Sequence, residues 1–116
     1  MKVQPIEAHA QNEVQMEGAV GAKMRMLIGP DDGAGNFHMR HFELSNGGNT
    51  PLHSHAFEHE VLVWSGGGTV HIAGKDQAIS RGDVVFVPAG VAHQFRAEAG
   101  GGLEFICLIP APQQCS

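Results

Sequence analysis

Residues 52–64 read LHSHAFEHEVLVW, and three histidines, His53, His55 and His59, fall within seven positions of that stretch. An extended chain puts alternate side chains on one face. All three histidines are odd-numbered, as are Val61 and Val63. Extended, even with a short interruption near Phe57 and Glu58, the stretch therefore gathers three imidazoles on the face that carries two valines. Neutral imidazole is a standard ligand for first-row metals, so imidazoles grouped on an inward apolar face point to a metal site.

The sequence on either side reads as scaffold for that cluster. Residues 20–28 (VGAKMRMLI) alternate as a half-buried strand, with Val20, Ala22, Met24 and Met26 set against Lys23 and Arg25. Residues 29–36 (GPDDGAGN) are turn chemistry. Residues 37–44 (FHMRHFEL) read as a second strand whose two faces are equally mixed, so neither is assigned inward. A loop is expected over 45–51, and a turn at Gly66-Gly67-Gly68. Short strands are expected over 69–72, 77–80, 84–87, 92–97 and 103–110. Short strands with Gly or Pro turns every eight to twelve residues indicate an all-β sandwich or barrel.

The totals agree. A chain of 116 residues, 42% hydrophobic, supports one domain with one core, read here as an N-terminal arm over 1–17, a barrel over 18–112 and a tail over 113–116. The net charge is -5 and no Lys/Arg run exists, which argues against nucleic acid or an anionic membrane as partner. No apolar stretch approaches the ~18 residues of a membrane span. The first residues lack an apolar signal core, so a cytoplasmic protein is expected. Cys107 and Cys115 form no C-x-x-C pair and read as reduced thiols.

Two blocks of fixed spacing resemble the cupins, a family of small jelly-roll β-barrels. Gly47 is followed after five residues by His53-Ser54-His55; Gly82, Pro88, Gly90 and His93 reproduce the second block, with Ala97 where that motif has Asn. The family's usual glutamate ligand aligns with His59 when counted back from Gly66 and with Glu60 when counted from Gly67. Strand parity selects His59. The expected metal ligands are therefore His53, His55, His59 and His93, a set similar to a four-histidine subgroup of oxalate decarboxylase-like cupins. The resemblance implies a jelly-roll barrel (double-stranded β-helix), one divalent transition metal and a homodimer formed through an outer sheet face. Ligand type allows Mn, Fe, Co, Ni, Cu or Zn.

Four neutral imidazoles leave a divalent ion its full charge, and that field favours an anionic, chelating small molecule in the open positions. The chain is therefore expected to be a metal-dependent enzyme of decarboxylase, dioxygenase or isomerase type. The alternative is a module that binds or senses a metal or small ligand without turnover. Phe57, Phe95, Arg40, His41 and Glu60 are the remaining pocket candidates. Phe57 lies between ligands, and Phe95 follows His93 in phase. Arg25 and Arg40 are candidate carboxylate anchors, although surface ion pairing is the plainer expectation for both. His41 is a candidate support for a ligand if it faces the barrel, and Glu60 a general base if the ribbon turns the other way. His9, His38 and His71 have no spacing argument. Cys107 reads as a small buried apolar residue. Leu62 and Trp64, on the expected outer face, would form the dimer contact.

Overall fold

The computed structural model describes residues 1–111. The expected tail and Cys115 lie outside the described residues. Eight antiparallel strands form the molecule: β1 (Gln11–Glu13), β2 (Val20–Ile28), β3 (Phe37–Asn49), β4 (His59–Ile72), β5 (Lys75–Ser80), β6 (Val84–Val87), β7 (His93–Ala97) and β8 (Leu103–Pro110). Two one-turn 3-10 segments, Ile6–Ala8 and Pro30–Asp32, are the helical elements among the described residues. Among the described residues no helix is long and apolar enough to cross a membrane. The strand path β1-β2-β3-β7-β4-β5 is closed by β8, which pairs with both β3 and β4, and β6 also pairs with β4. The sheet thus wraps on itself as the all-β barrel expected from the turn spacing.

Alternation decides what faces the barrel interior. In β4, His59, Val61 and Val63 are buried while Glu60, Leu62 and Trp64 are exposed. In β8, Leu103, Phe105, Cys107 and Ile109 are buried at every second position. Together with Leu44, Val70, Val87 and Phe95 they build the core. Removing each such side chain from water contributes about 1.5–3 kcal/mol.

Three elements differ from expectation. First, β4 runs straight through Gly66-Gly67-Gly68, where a turn is expected. The glycines serve close approach instead: a Cβ on Gly66 would run into the carbonyl of Gly102, and one on Gly68 into that of Arg96. Gly66 also has φ +77° at the register shift between Val63 and Ser65, the left-handed conformation that favours glycine. Second, β3 continues through the expected loop to Asn49. Its mixed faces have a cause, since both are covered. Arg40, Phe42 and Leu44 face the interior, whereas His41, on the other face, is buried and donates Nε2–H to Glu104 at 2.9 Å. Third, residues 54–58 are not strand, and His53 forms an isolated bridge with His93.

The N-terminal segment lies against its own barrel. β1 pairs with β2, Arg25 donates to the carbonyl of His9 at 2.6 Å, and Lys2 donates to the carbonyl of Leu27 at 2.6 Å.

Candidate metal centre

The four motif histidines converge at one end of the interior, and each is fastened by a different device. His59 opens β4 on its buried face. His93 opens β7, and its backbone N and O pair with those of His53 at 2.9 and 3.2 Å. His55 is held by its carbonyl, which accepts from Gly90 N. The Pro88-x-Gly90 turn of the second motif therefore anchors the loop of the first. Thr50 completes the frame by accepting from Phe95 N through Oγ1 at 2.9 Å.

Ring centroids lie 4.3 Å apart for His53–His55, 5.1 Å for His53–His93 and 4.9 Å for His59–His93. One ligand atom from each of His53, His55 and His93 falls within 4.8 Å of the others. His59 stands outside that trio but 5.1 Å from His55 by centroids, and it lines the same cavity. The hydrogen-bond pattern suits ligation. His93 donates Nδ1–H to the carbonyl of Val91 at 3.0 Å, which leaves Nε2 with a lone pair. His59 Nδ1 lies 3.3 Å from Cys107 Sγ, while its Nε2 is buried without any partner. A buried nitrogen with no partner is costly unless something else satisfies it. A divalent ion fits this donor set, with His53, His55 and His93 as a preassembled trio.

Electrostatics favour the ligand form of the rings. Burial holds His59 down to about 3, helped by the nearby His93 and Arg40. Burial, then His53 and His93, hold His55 down to about 4. His53 is also lowered, again chiefly by burial. All three stay neutral near neutral pH, and neutral imidazole is what coordinates a metal.

The cavity in front of the rings holds about 310 Å3, at the lower end of the ~300–1,000 Å3 seen for small-molecule sites. Phe95 lines it, as expected, and so does Arg40. Among the described residues the ion pairing expected for Arg40 is not found: its Nη2 donates to Cys107 Sγ at 3.4 Å, and its guanidinium lies 4.9 Å over the Phe42 ring. Arg25 sits elsewhere, holding the N-terminal segment.

Three candidates are corrected. Glu60 is exposed on the outer face of β4, because its even position opposes His59. His41 is turned away from the cavity toward Glu104. Phe57 stacks on His55 at 4.9 Å and 7° but does not line the cavity; it packs behind the ring as a support. Sequence reasoning missed the wall formed by residues 12–16. Its only signal was Val14 and Met16 two positions apart in a polar segment.

Comparison with known proteins agrees with this geometry. Over 73 residues the chain is 34% identical to the 1-methylthio-D-xylulose 5-phosphate methylsulfurylase of Rhodospirillum rubrum, covering 63% of this chain and 47% of that protein. Over 68 residues it is 35% identical to an oxalate-binding protein of Thermotoga maritima, covering 58% of this chain and 56% of that one. The chain thus spans about half the length of the curated relatives it matches. In solved structures it superposes on the polyketide cyclase RemF from Streptomyces resistomycificus with a TM-score of 0.90 and 31% identity, over 95% of this chain and 79% of that one. Residues 40–109, which hold every one of the four histidines, match the cupin domain family, and the chain belongs to that family.

Proposed function

We propose that this chain is a metal-dependent cupin enzyme acting on a small, chelating organic anion, with the ion held by His53, His55, His59 and His93. The observation that carries this is the convergence of four imidazoles, two of them with a buried nitrogen that has no partner (His53 Nδ1 and His59 Nε2), on a cavity that also holds Arg40 outside any ion pair among the described residues. Relatives named as a methylsulfurylase and a polyketide cyclase support catalysis on the same framework.

Bound there, a divalent ion supplies Lewis acidity toward carbonyl, carboxylate or water oxygens. The protein does the rest. His93 is fixed in its Nε2-ligand tautomer by Val91. Phe57 and Cys107 steady His55 and His59 from behind. Arg40 adds a second positive group to the cavity, and a bidentate guanidinium orients an acid group. Met24, Phe42, Phe95 and Phe105 exclude water from the reacting atoms. This arrangement suits decarboxylation, isomerisation or oxygenation of an organic acid. The test is product formation from a panel of organic acids by protein loaded with Mn, Fe, Co, Ni, Cu or Zn in turn.

A second reading, a module that binds its ligand without turnover, is favoured by one specific feature. The carboxylate in the cavity lining, Glu13, is exposed rather than set among the rings, and one curated relative is named for binding oxalate. Tight ligand binding with no product over the whole panel decides for it.

The outer face carries the remaining proposal, a homodimer. Leu62 pairs with Val84 and Glu60 with Phe86 in the β4–β6 register. Leu62, Trp64, Val84 and Phe86 are 39%, 49%, 80% and 56% exposed. Contiguous apolar surface of this kind marks an interface.

A further inference from the structure

We infer that the cavity takes an organic acid with an apolar, aryl-sized body, and that Arg40 is the residue that selects its acid group. The inference rests on the metal-site reading above and adds the substrate class to it.

Arg40 enters the cavity from β3 without making an ion pair, and the one carboxylate of the lining, Glu13, is exposed. The ion pairs among the described residues are Lys2–Asp32, His41–Glu104, His71–Asp76 and Arg96–Asp76, and Arg40 belongs to none of them. Its Nε is buried with no partner, and its Nη2 is spent on a thiol sulfur, a weak acceptor. Arg40 is half-buried, and a partly desolvated guanidinium without a carboxylate gains from a partner that arrives from outside. The Phe42 ring, 4.9 Å from Arg40 Cζ, and the bond to Cys107 hold the guanidinium in place. The fork is therefore oriented before any ligand enters, and its natural complement is a planar carboxylate or a comparable pair of acidic oxygens.

The body of the ligand follows from the walls. Phe42 stacks on Phe105 with centroids 5.1 Å apart, and Phe95 stacks on Phe105 at 4.4 Å, so the three rings pack on one another and wall the cavity with apolar carbon. Met24, Val14 and Met16 line the cavity as well. Oxalate is too small to use such a surface. A sugar phosphate would need partners for several hydroxyls, and most of the wall is apolar, with Asn12, Glu13, Gln15 and Thr50 as its uncharged-polar or acidic members beside the histidines. An aryl acid satisfies every part: its apolar body packs against these side chains, the acid group meets Arg40, and a neighbouring oxygen is left for the ion.

Calorimetric titration tests this on Mn-loaded protein with hydroxynaphthoate, salicylate, oxalate, a pentose phosphate and uncharged naphthol. Hydroxynaphthoate should bind at least about tenfold tighter than oxalate or the pentose phosphate, with salicylate between. R40Q should keep the wild-type metal content and naphthol affinity, yet lose about tenfold or more for hydroxynaphthoate; R40K should recover part of the loss. Tighter binding of oxalate or the pentose phosphate overturns the inference. So does hydroxynaphthoate affinity unchanged in both Arg40 variants. If R40Q fails to fold, the wild-type ligand ranking alone decides. Should chelator-treated protein bind hydroxynaphthoate as tightly as loaded protein, still through Arg40, the metal reading fails while the aryl-acid inference stands.

Discussion

His59 and Glu60 are adjacent in the chain and end on opposite faces of β4, one buried beside the other imidazoles and one in solvent. That single step of pleat separates a four-histidine centre from a three-histidine, one-glutamate centre, and with it the charge left on a bound ion. Parity could decide it because residues 59–64 are a regular strand. Parity could not have placed His53 and His55, since residues 54–58 leave the strand; their position was legible only through motif spacing. As a ligand, His59 is worth at least what a supporting partner of a ligand is worth, so H59A should weaken metal binding by about 10–100-fold or more, measured by competition with a chromogenic chelator. Unchanged affinity would remove His59 from the set. The lowered His55 and His59 also predict a pH dependence. Histidine in the unfolded chain charges near 6.5, whereas these stay neutral in the folded chain until about 4 and about 3. Between those limits the unfolded state binds more protons, so stability rises with pH and falls on acidification below about 6.5. Melting temperatures of metal-free protein should drop from pH 6.5 to 4, and drop less steeply in H59Q. Equal slopes for the two proteins would contradict this origin.

At the scale of the element, β4 is the spine. It pairs with β5, β6, β7 and β8, and its glycines let neighbouring backbones pass close. The run Gly66-Gly67-Gly68 was read as a turn because glycine serves both turns and tight crossings, and the residues alone do not say which. G68A should destabilise the protein by about 1–3 kcal/mol or more, because the added methyl meets the Arg96 carbonyl and both backbones are fixed in the β4–β7 ladder. Denaturant unfolding with a midpoint equal to wild type would show that the ladder gives way. β3 was illegible for a different reason. Its inner face lines a cavity that needs Arg40, and its outer face buries His41, so neither carries the polar face that alternation normally reveals. The wall over residues 12–16 depends on the fold bringing a polar segment across the cavity, which no local pattern encodes.

At the scale of the molecule, one barrel presents two faces: an interior that gathers four histidines and an exterior that presents Leu62, Trp64, Val84 and Phe86. The barrel itself was readable from turn spacing and alternation, and the exposed Leu62 and Trp64 from the same parity that buries His59. Val84 and Phe86 join them only through the β4–β6 register. Sedimentation at micromolar concentration should show a dimer, and L62E/W64E should convert it to a monomer that still binds metal; a wild-type monomer refutes the interface. Closest to the centre of the account is an anomalous-difference map from crystals of metal-loaded protein. One peak per chain, contacted by His53, His55, His59 and His93 with Arg40 facing the same cavity, is the predicted result. A peak held by His53, His55 and His93 with His59 turned aside, or no peak among these rings, would contradict it.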